Sequence, residues 1–203
     1  AATAIPAKSV IDGASALALS QVWGNPHSIL SNSGLAASAA VDAMRLKVLD
    51  FVHADPRQYT VVFCSGATDG LRQVARRFPF RPHSRLTISA EAHTSLMGVR
   101  GEALSRGSTV RVVDVCASGE LKIVSTFNRE KREVEWSNSV FEHELFALPA
   151  ECNLSGKRTP FSAFDMVRKE CDEKSRQSGR RCAMMVVDCA KMAATSEVKM
   201  EEM

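Results

Sequence analysis

The chain reads as an α/β fold, a mainly parallel sheet with crossover helices, on three observations. Segments rich in Val, Ile and Thr alternate with stretches whose apolar residues recur at helical spacing. A strand, a glycine turn and a helix follow one another around the SGAT string at residues 65–68. The run AMMVV at 183–187 is apolar without a break, as in a central parallel strand buried on both faces. With 203 residues, 45% of them apolar and 24% charged, the chain has enough material for one core, so one domain is expected.

Taken in order, a first helix is expected over 35–54, where Val41, Met44, Val48 and Val52 recur at helical spacing, the SNSG run supplies capping side chains and Pro56 follows. A short strand at 61–64 should feed the SGAT turn. The helix after it, 68–78, places Leu71, Val74, Ala75 and Phe78 on one face. LTISA at 86–90 is a strand, and through EAH it leads to a third helix carrying Leu96, Val99, Ala103 and Leu104, with Gly107 as its left-handed stop. A strand at 109–115 follows.

From about 116 to 144 the pattern loosens into charged and polar residues, including FNREKREVEW. That stretch reads as a hairpin or variable insertion outside the core, with the poorest order of the chain. LFALPAECN then runs as a strand into a polar turn, and a helix over about 160–178 ends at Gly179. CAMMVVD is the last strand. The remaining SEVKMEEM reads as a polar tail.

Charge and cysteine usage exclude several classes. The net charge is only +3 and the basic residues are dispersed, which is a solvated surface and not a nucleic-acid stripe. No run approaches transmembrane length and the N-terminus has no leader-like pattern, so a soluble, cytoplasmic chain is expected. The six cysteines show no CxxC pair and no histidine at metal spacing, supporting neither a disulfide framework nor a zinc site.

Three features can carry chemistry. Gly66, Ala67 and Thr68 open a helix with backbone N–H groups, no bulky side chain and a hydroxyl, which is what a phosphate needs; glycine and threonine also occupy such turns for purely steric reasons. His93 follows a strand, where a parallel sheet presents its ligand-facing loops, and its imidazole could stack on an aromatic ring, shuttle a proton, or simply cap the next helix. Asp188 ends an apolar strand, where a carboxylate needs a cationic partner such as a protonated pyridine nitrogen, or else caps a following turn.

Together, GNPHS at 24–28, FCSGATDGL at 63–71, SAEAHTSLMG at 89–98, LFALPAECNLSG at 145–156 and VVDCAKMAAT at 186–195 resemble the class V aminotransferase family of fold-type I pyridoxal-phosphate enzymes. That family includes the cysteine desulfurases, and the strings are most similar to its molybdenum cofactor sulfurase branch. The resemblance implies a large domain spanning 1–203 with a variable insertion at about 116–144. It also implies that Ala67 and Thr68 hold the cofactor phosphate, His93 stacks on the ring, Asn153 faces the phenolic oxygen and Asp188 binds the pyridine nitrogen. Lys191 falls where many relatives place a glutamine near that oxygen.

In such enzymes a lysine further downstream forms the Schiff base and, in the sulfurases, a later cysteine carries a persulfide taken from L-cysteine and passed to the molybdenum cofactor. The present residues stop before that lysine strand, and AATAIP resembles the middle of the family's first element, so a fragment of the large domain is expected. By itself it would not complete the cycle. A non-catalytic remnant that binds a phosphorylated ligand weakly, or pairs with a full-length partner, is the alternative. The resemblance further implies a homodimer, or pairing with a partner chain, as does a sheet lacking later strands.

Overall fold

The computed structural model describes residues 6–128, 142–179 and 182–203. Two compact units are present, one formed by residues up to 62 with Glu197–Glu201, the other by Phe63–Ser196 with Glu202–Met203.

In the first unit, helix α1 (Lys8–Ser20) was not anticipated from the sequence and buries none of its residues. Helix α2 (Asn32–Phe51) starts three residues earlier than the periodicity suggested, because the Ser31 side chain accepts from the Gly34 N–H and caps it. The GNPHS loop lies against this helix start. Gly24 N donates to Ser33 O at 3.1 Å, and a Cβ on Gly34 would stand 2.1 Å from Ser28 O, so only glycine fits there. At the other end His53 takes a left-handed conformation at φ 50°, ending α2 before Pro56. The tail expected to be merely polar is integrated here: Val198 is buried, Met200 N donates to Val52 O and His53 Nε2 meets Glu197 Oε1 at 2.7 Å.

The second unit is the expected α/β structure. Its elements are α3 (Ala67–Arg77), β1 (Ser84–Ser89), α4 (Thr94–Ser105), β2 (Thr109–Val115), β3 (Leu121–Phe127), β4 (His143–Pro149), α5 (Phe161–Ser178) and β5 (Ala183–Asp188). The sheet order is β3-β2-β1-β4-β5. All pairs are parallel except β2 with β3. Gly107 at φ 82° and Gly179 at φ 67° follow α4 and α5 in the left-handed region, as expected.

Two expectations are corrected and a third is borne out in part. Residues 61–64 form no strand, and Val62 and Phe63 are exposed; they have no sheet neighbour among the described residues. β5 is an edge strand, half-buried instead of buried on both faces, because among the described residues only β4 pairs with it. The segment from 116 is a hairpin in part, since β3 closes the far edge antiparallel to β2, and β4 begins at His143 inside the range assigned to the insertion. The string FNREKREVEW, expected to be least ordered, falls mainly outside the described residues.

Strand periodicity sorts the sheet into two unlike faces. On one, Leu86, Ile88, Val110, Leu145 and Ala147 pack against Leu71 and Ala75 of α3 and Leu96 and Val99 of α4 in a wholly apolar core. On the other lie Phe146, beneath α5, and a buried ionic cluster. Glu144, 2% exposed, accepts both Arg85 Nε and Arg85 Nη2 at 2.6 Å, Thr87 Oγ1 at 2.9 Å and Arg111 Nη2 at 3.3 Å. Lys174 of α5 also bonds Glu144 and lies 5.4 Å from the centre of the Phe146 ring. Burial acts to raise the Glu144 carboxyl, but the hydrogen bonds and charge of Arg85, aided by Lys174, outweigh it and hold the group below its ordinary 4.5. Among the described residues, no helix is long and apolar enough to cross a membrane.

Replacing Glu144 by Gln removes the anion shared by three cations, two of them deeply buried, and is expected to cost about 3–5 kcal/mol in denaturant unfolding. Because the folded carboxyl sits below 4.5, its contribution is complete above that value and fades as pH falls through the folded value. The acid limb of the stability profile should therefore be steeper in the native chain than in E144Q; superimposable profiles would show that the carboxylate is not the anchor.

Candidate functional site

All the sequence-nominated residues lie in the second unit, around the carboxyl ends of the parallel strands. Because β1, β4 and β5 are adjacent and parallel, the loops that follow them leave from one edge of the sheet. His93 lies in the connection from β1 to α4, Asn153 in the connection from β4 to α5, and Asp188 is the last residue of β5, with Lys191 just beyond. Pro149 and Asp188 are register partners, and Ala150 N donates to Asp188 O at 2.9 Å, which fixes the ends of β4 and β5 level with one another.

The SGAT turn enters from α3. Gly66 is the N-cap residue, with φ 154° and ψ 174°, a backbone conformation essentially reserved to glycine. A Cβ built there would meet nothing within 4 Å, so the glycine is required by conformation while the space above it is open. No side chain caps this helix, leaving the amides of its first turn directed outward at the positive end of the dipole. A Cβ on Gly70 would lie 3.3 Å from Cys64 Sγ, so this position sits close against the loop that precedes the turn.

Asp69 is a residue whose role the sequence reading missed. Its carboxylate accepts Ser65 N at 3.3 Å and Gln73 Nε2 at 3.3 Å, and the Ser65 hydrogen bond, with that from Gln73, lowers its pKa. The acid is thereby turned to bracing the back of the turn. An S/T-x-x-x-D spacing at a helix start is the signal that could have revealed it.

Thr68 and His93 are joined through Ser95. Thr68 Oγ1 and Ser95 Oγ share a hydrogen bond of 2.8 Å, and Ser95 Oγ stands 3.0 Å from His93 Nδ1. His93 also caps α4, with Ser95 N donating to Nδ1 at 3.2 Å. The structural and functional readings of His93 are thus compatible: accepting that bond leaves the ring proton on Nε2, and the exposed ring is held by its Nδ1 side.

Asp188 also has a local task, since Oδ1 accepts Ala190 N at 3.0 Å and shapes the turn that leads to Lys191. The side chain is half-buried. Lys191 precedes a single 3-10 turn, Met192–Ala194, whose Met192 is buried. Asn153 is exposed on a tight loop in which Cys152 N donates to Lys157 O and Gly156 N to Cys152 O. Cys152, buried beside it, has its thiol pKa lowered by hydrogen bonds from Ser155. The structure therefore links Thr68 and His93 by hydrogen bonds and brings Asn153, Asp188 and Lys191 to the same edge through topology.

The donor set fits a phosphorylated aromatic cofactor such as pyridoxal phosphate. Open amides and two hydroxyls lie at a helix N-terminus, a flat imidazole stands beside them and a carboxylate ends a neighbouring strand.

Comparison with known proteins identifies the family and the fold. The family model described as aminotransferase class-V matches residues 1–203. A molybdenum cofactor sulfurase of Oryza sativa subsp. japonica is 36% identical over 196 residues, covering 87% of this chain and 23% of that protein. A molybdenum cofactor sulfurase of Solanum lycopersicum is 32% identical over 191 residues, with the same coverage of each chain. Among solved structures, a NifS-like protein superposes with a TM-score of 0.69 at 20% identity, covering 98% of this chain and 50% of that one. The chain spans about a quarter of the length of the curated relatives it matches. It belongs to the class V aminotransferase family, and its fold is that of the NifS-like proteins.

Proposed function

We propose that residues 1–203 are part of the large domain of a pyridoxal-phosphate sulfurase, with a variable insertion at about 116–144. The complete protein would take sulfur from L-cysteine through a cysteine persulfide and transfer it to the molybdenum cofactor. The observation that carries this reading is the open turn at Gly66, tied through Thr68 and Ser95 to the His93 ring, on the sheet edge that also holds Asp188. The names of the relatives support the sulfur-transfer chemistry.

When bound, pyridoxal phosphate supplies an electron sink for bond breaking beside an amino group. The chain's own residues bind and orient it. The amides of Ala67 and Thr68, with the Thr68 hydroxyl, would hold the phosphate at the positive end of α3. His93, fixed at Nδ1 by Ser95, would lie flat on the ring. Asp188 would accept the pyridinium N–H, keeping the ring protonated, and Asn153 with Lys191 would face the phenolic oxygen. A homodimer is part of the proposal, and exposed apolar side chains such as Leu19 and Phe51 offer surface for it.

Equilibrium dialysis against pyridoxal phosphate tests the cradle. The chain should bind it reversibly, and Asp188→Asn should weaken binding about tenfold or more through loss of a charge-assisted hydrogen bond. Borohydride treatment followed by peptide mapping should leave Lys191 unmodified. Absence of any binding, or equal binding by D188N, would sink the reading.

Gly66→Ala probes the turn separately. With open space around the new Cβ, the expected loss of about 1–3 kcal/mol in unfolding is conformational, and phosphate affinity should fall with it. Unchanged stability would mean that the turn relaxes to another conformation without cost.

A further inference from the structure

The loop that carries Asn153 is held from two sides by two consecutive cations. Residues 150–159 fold back on themselves. Glu151 and Arg158 form an antiparallel bridge, Thr159 N donates to Ala150 O at 2.9 Å and the Thr159 hydroxyl to Pro149 O at 2.5 Å. Gly156, at φ 71°, makes the reversal possible. This returns Lys157 and Arg158 to the base of the loop, where they reach in opposite directions.

Lys157 Nζ lies 3.4 Å from Glu91 Oε1 and 3.6 Å from Asp114 Oδ1. Glu91 belongs to the connection that ends in His93, and Asp114 to the end of β2. Arg158 turns the other way. Its Nε donates to Glu151 Oε2 at 3.0 Å, and its Nη2 donates to Ser196 Oγ. The same Glu151 oxygen stands 3.5 Å from Thr195 Oγ1, and Glu151 is only 8% exposed. Residues 195 and 196 close the segment that follows Asp188 and contains Lys191; Ser196 N donates to Met192 O at 2.8 Å.

We propose that Lys157 and Arg158 are positioning residues that brace the Asn153 loop, Lys157 against the His93 connection and Arg158 with Glu151 against the segment carrying Lys191. They set the spacing of three loops that would otherwise leave the sheet independently. Arg158 is the stronger member, since its planar fork serves two partners and one of them is a buried carboxylate. The Lys157 contacts are half-exposed and correspondingly weaker. The proposal rests on the reading of this edge as a pyridoxal-phosphate cradle.

The test combines hydrogen–deuterium exchange on the ligand-free chain with equilibrium dialysis against pyridoxal phosphate. Arg158→Met should raise deuterium uptake in both 152–157 and 189–196. It should weaken binding about tenfold, the scale on which loss of outer-shell support acts elsewhere. Lys157→Met should weaken binding about threefold, with the difference vanishing at high salt. Arg158→Lys should partly restore affinity. Its effect should disappear in an Asn153→Ala background, which a general loss of stability would not produce. Should R158M fold poorly, Ser196→Ala removes one end of the brace alone and should still raise uptake in 189–196.

Unchanged uptake in R158M and S196A would overturn the brace whether or not the cofactor binds. Raised uptake with undiminished affinity, in a chain where D188N does weaken binding, would overturn the positioning role and leave the cradle standing. Binding indifferent to D188N would remove the cradle itself, and with it any role for the brace in holding a cofactor.

Discussion

One buried carboxylate organises the sheet. Glu144 on β4 meets Arg85 on β1 as its direct register partner, reaches Arg111 on β2 and accepts Lys174 from α5, so a single anion fixes three strands and one helix. A one-residue slip of β4 against β1 would turn Glu144 into the apolar face and take from the buried Arg85 and Arg111 the carboxylate they share, at a cost of several kcal/mol. Apolar packing by itself discriminates less sharply, because Leu145 and Ala147 could be replaced by other apolar neighbours with modest loss. Register decides where the strands end, and the strand ends decide where His93, Asn153 and Asp188 stand.

Helices α2 to α5 and the turn were legible because their signals are local. Helical spacing, Gly107 and Gly179 gave α4 and α5 nearly to the residue, and Gly66 with Thr68 gave the turn. What failed in the sheet depended on partners distant in sequence. The apolar run of β5 reads as a central strand, yet burial on both faces also requires a neighbour beyond it, and within the described residues β4 is its only one. Residues 61–64 have strand composition but no ladder to join among the described residues, and β-propensity is decided by such pairing. Arg85 and Glu144 are 59 positions apart, and in sequence each looks like an ordinary surface charge.

The candidate site was legible in its parts and not in its connections. Thr68, His93, Asn153 and Asp188 could each be nominated from type and place. Ser95, which joins two of them, and the Lys157–Arg158 pair, which braces the others, carry no distinguishing spacing. Nor did the competing explanations exclude one another. His93 caps α4 through Nδ1 and Asp188 shapes a turn through Oδ1, and in each case the local bond fixes the orientation of the same side chain. A group held at one atom is better prepared to serve a ligand at another, since less rotational freedom is lost on binding.

The two ends of the sheet therefore treat polarity in opposite ways, for one physical reason. At the amino end, charges are buried, and Glu144 collects bonds from every cation around it, because an unpaired charge in a closed interior is prohibitively costly. At the carboxyl end, the amides of α3 have no capping side chain, Asn153 and His93 are exposed and the first-turn acid is tied back to Ser65. Donors left open to water cost little there and remain available to a phosphate. Stability is concentrated where solvent is excluded, and binding capacity where it is not. Only the loops that join the strand ends need bracing, and it is there that Lys157 and Arg158 are found.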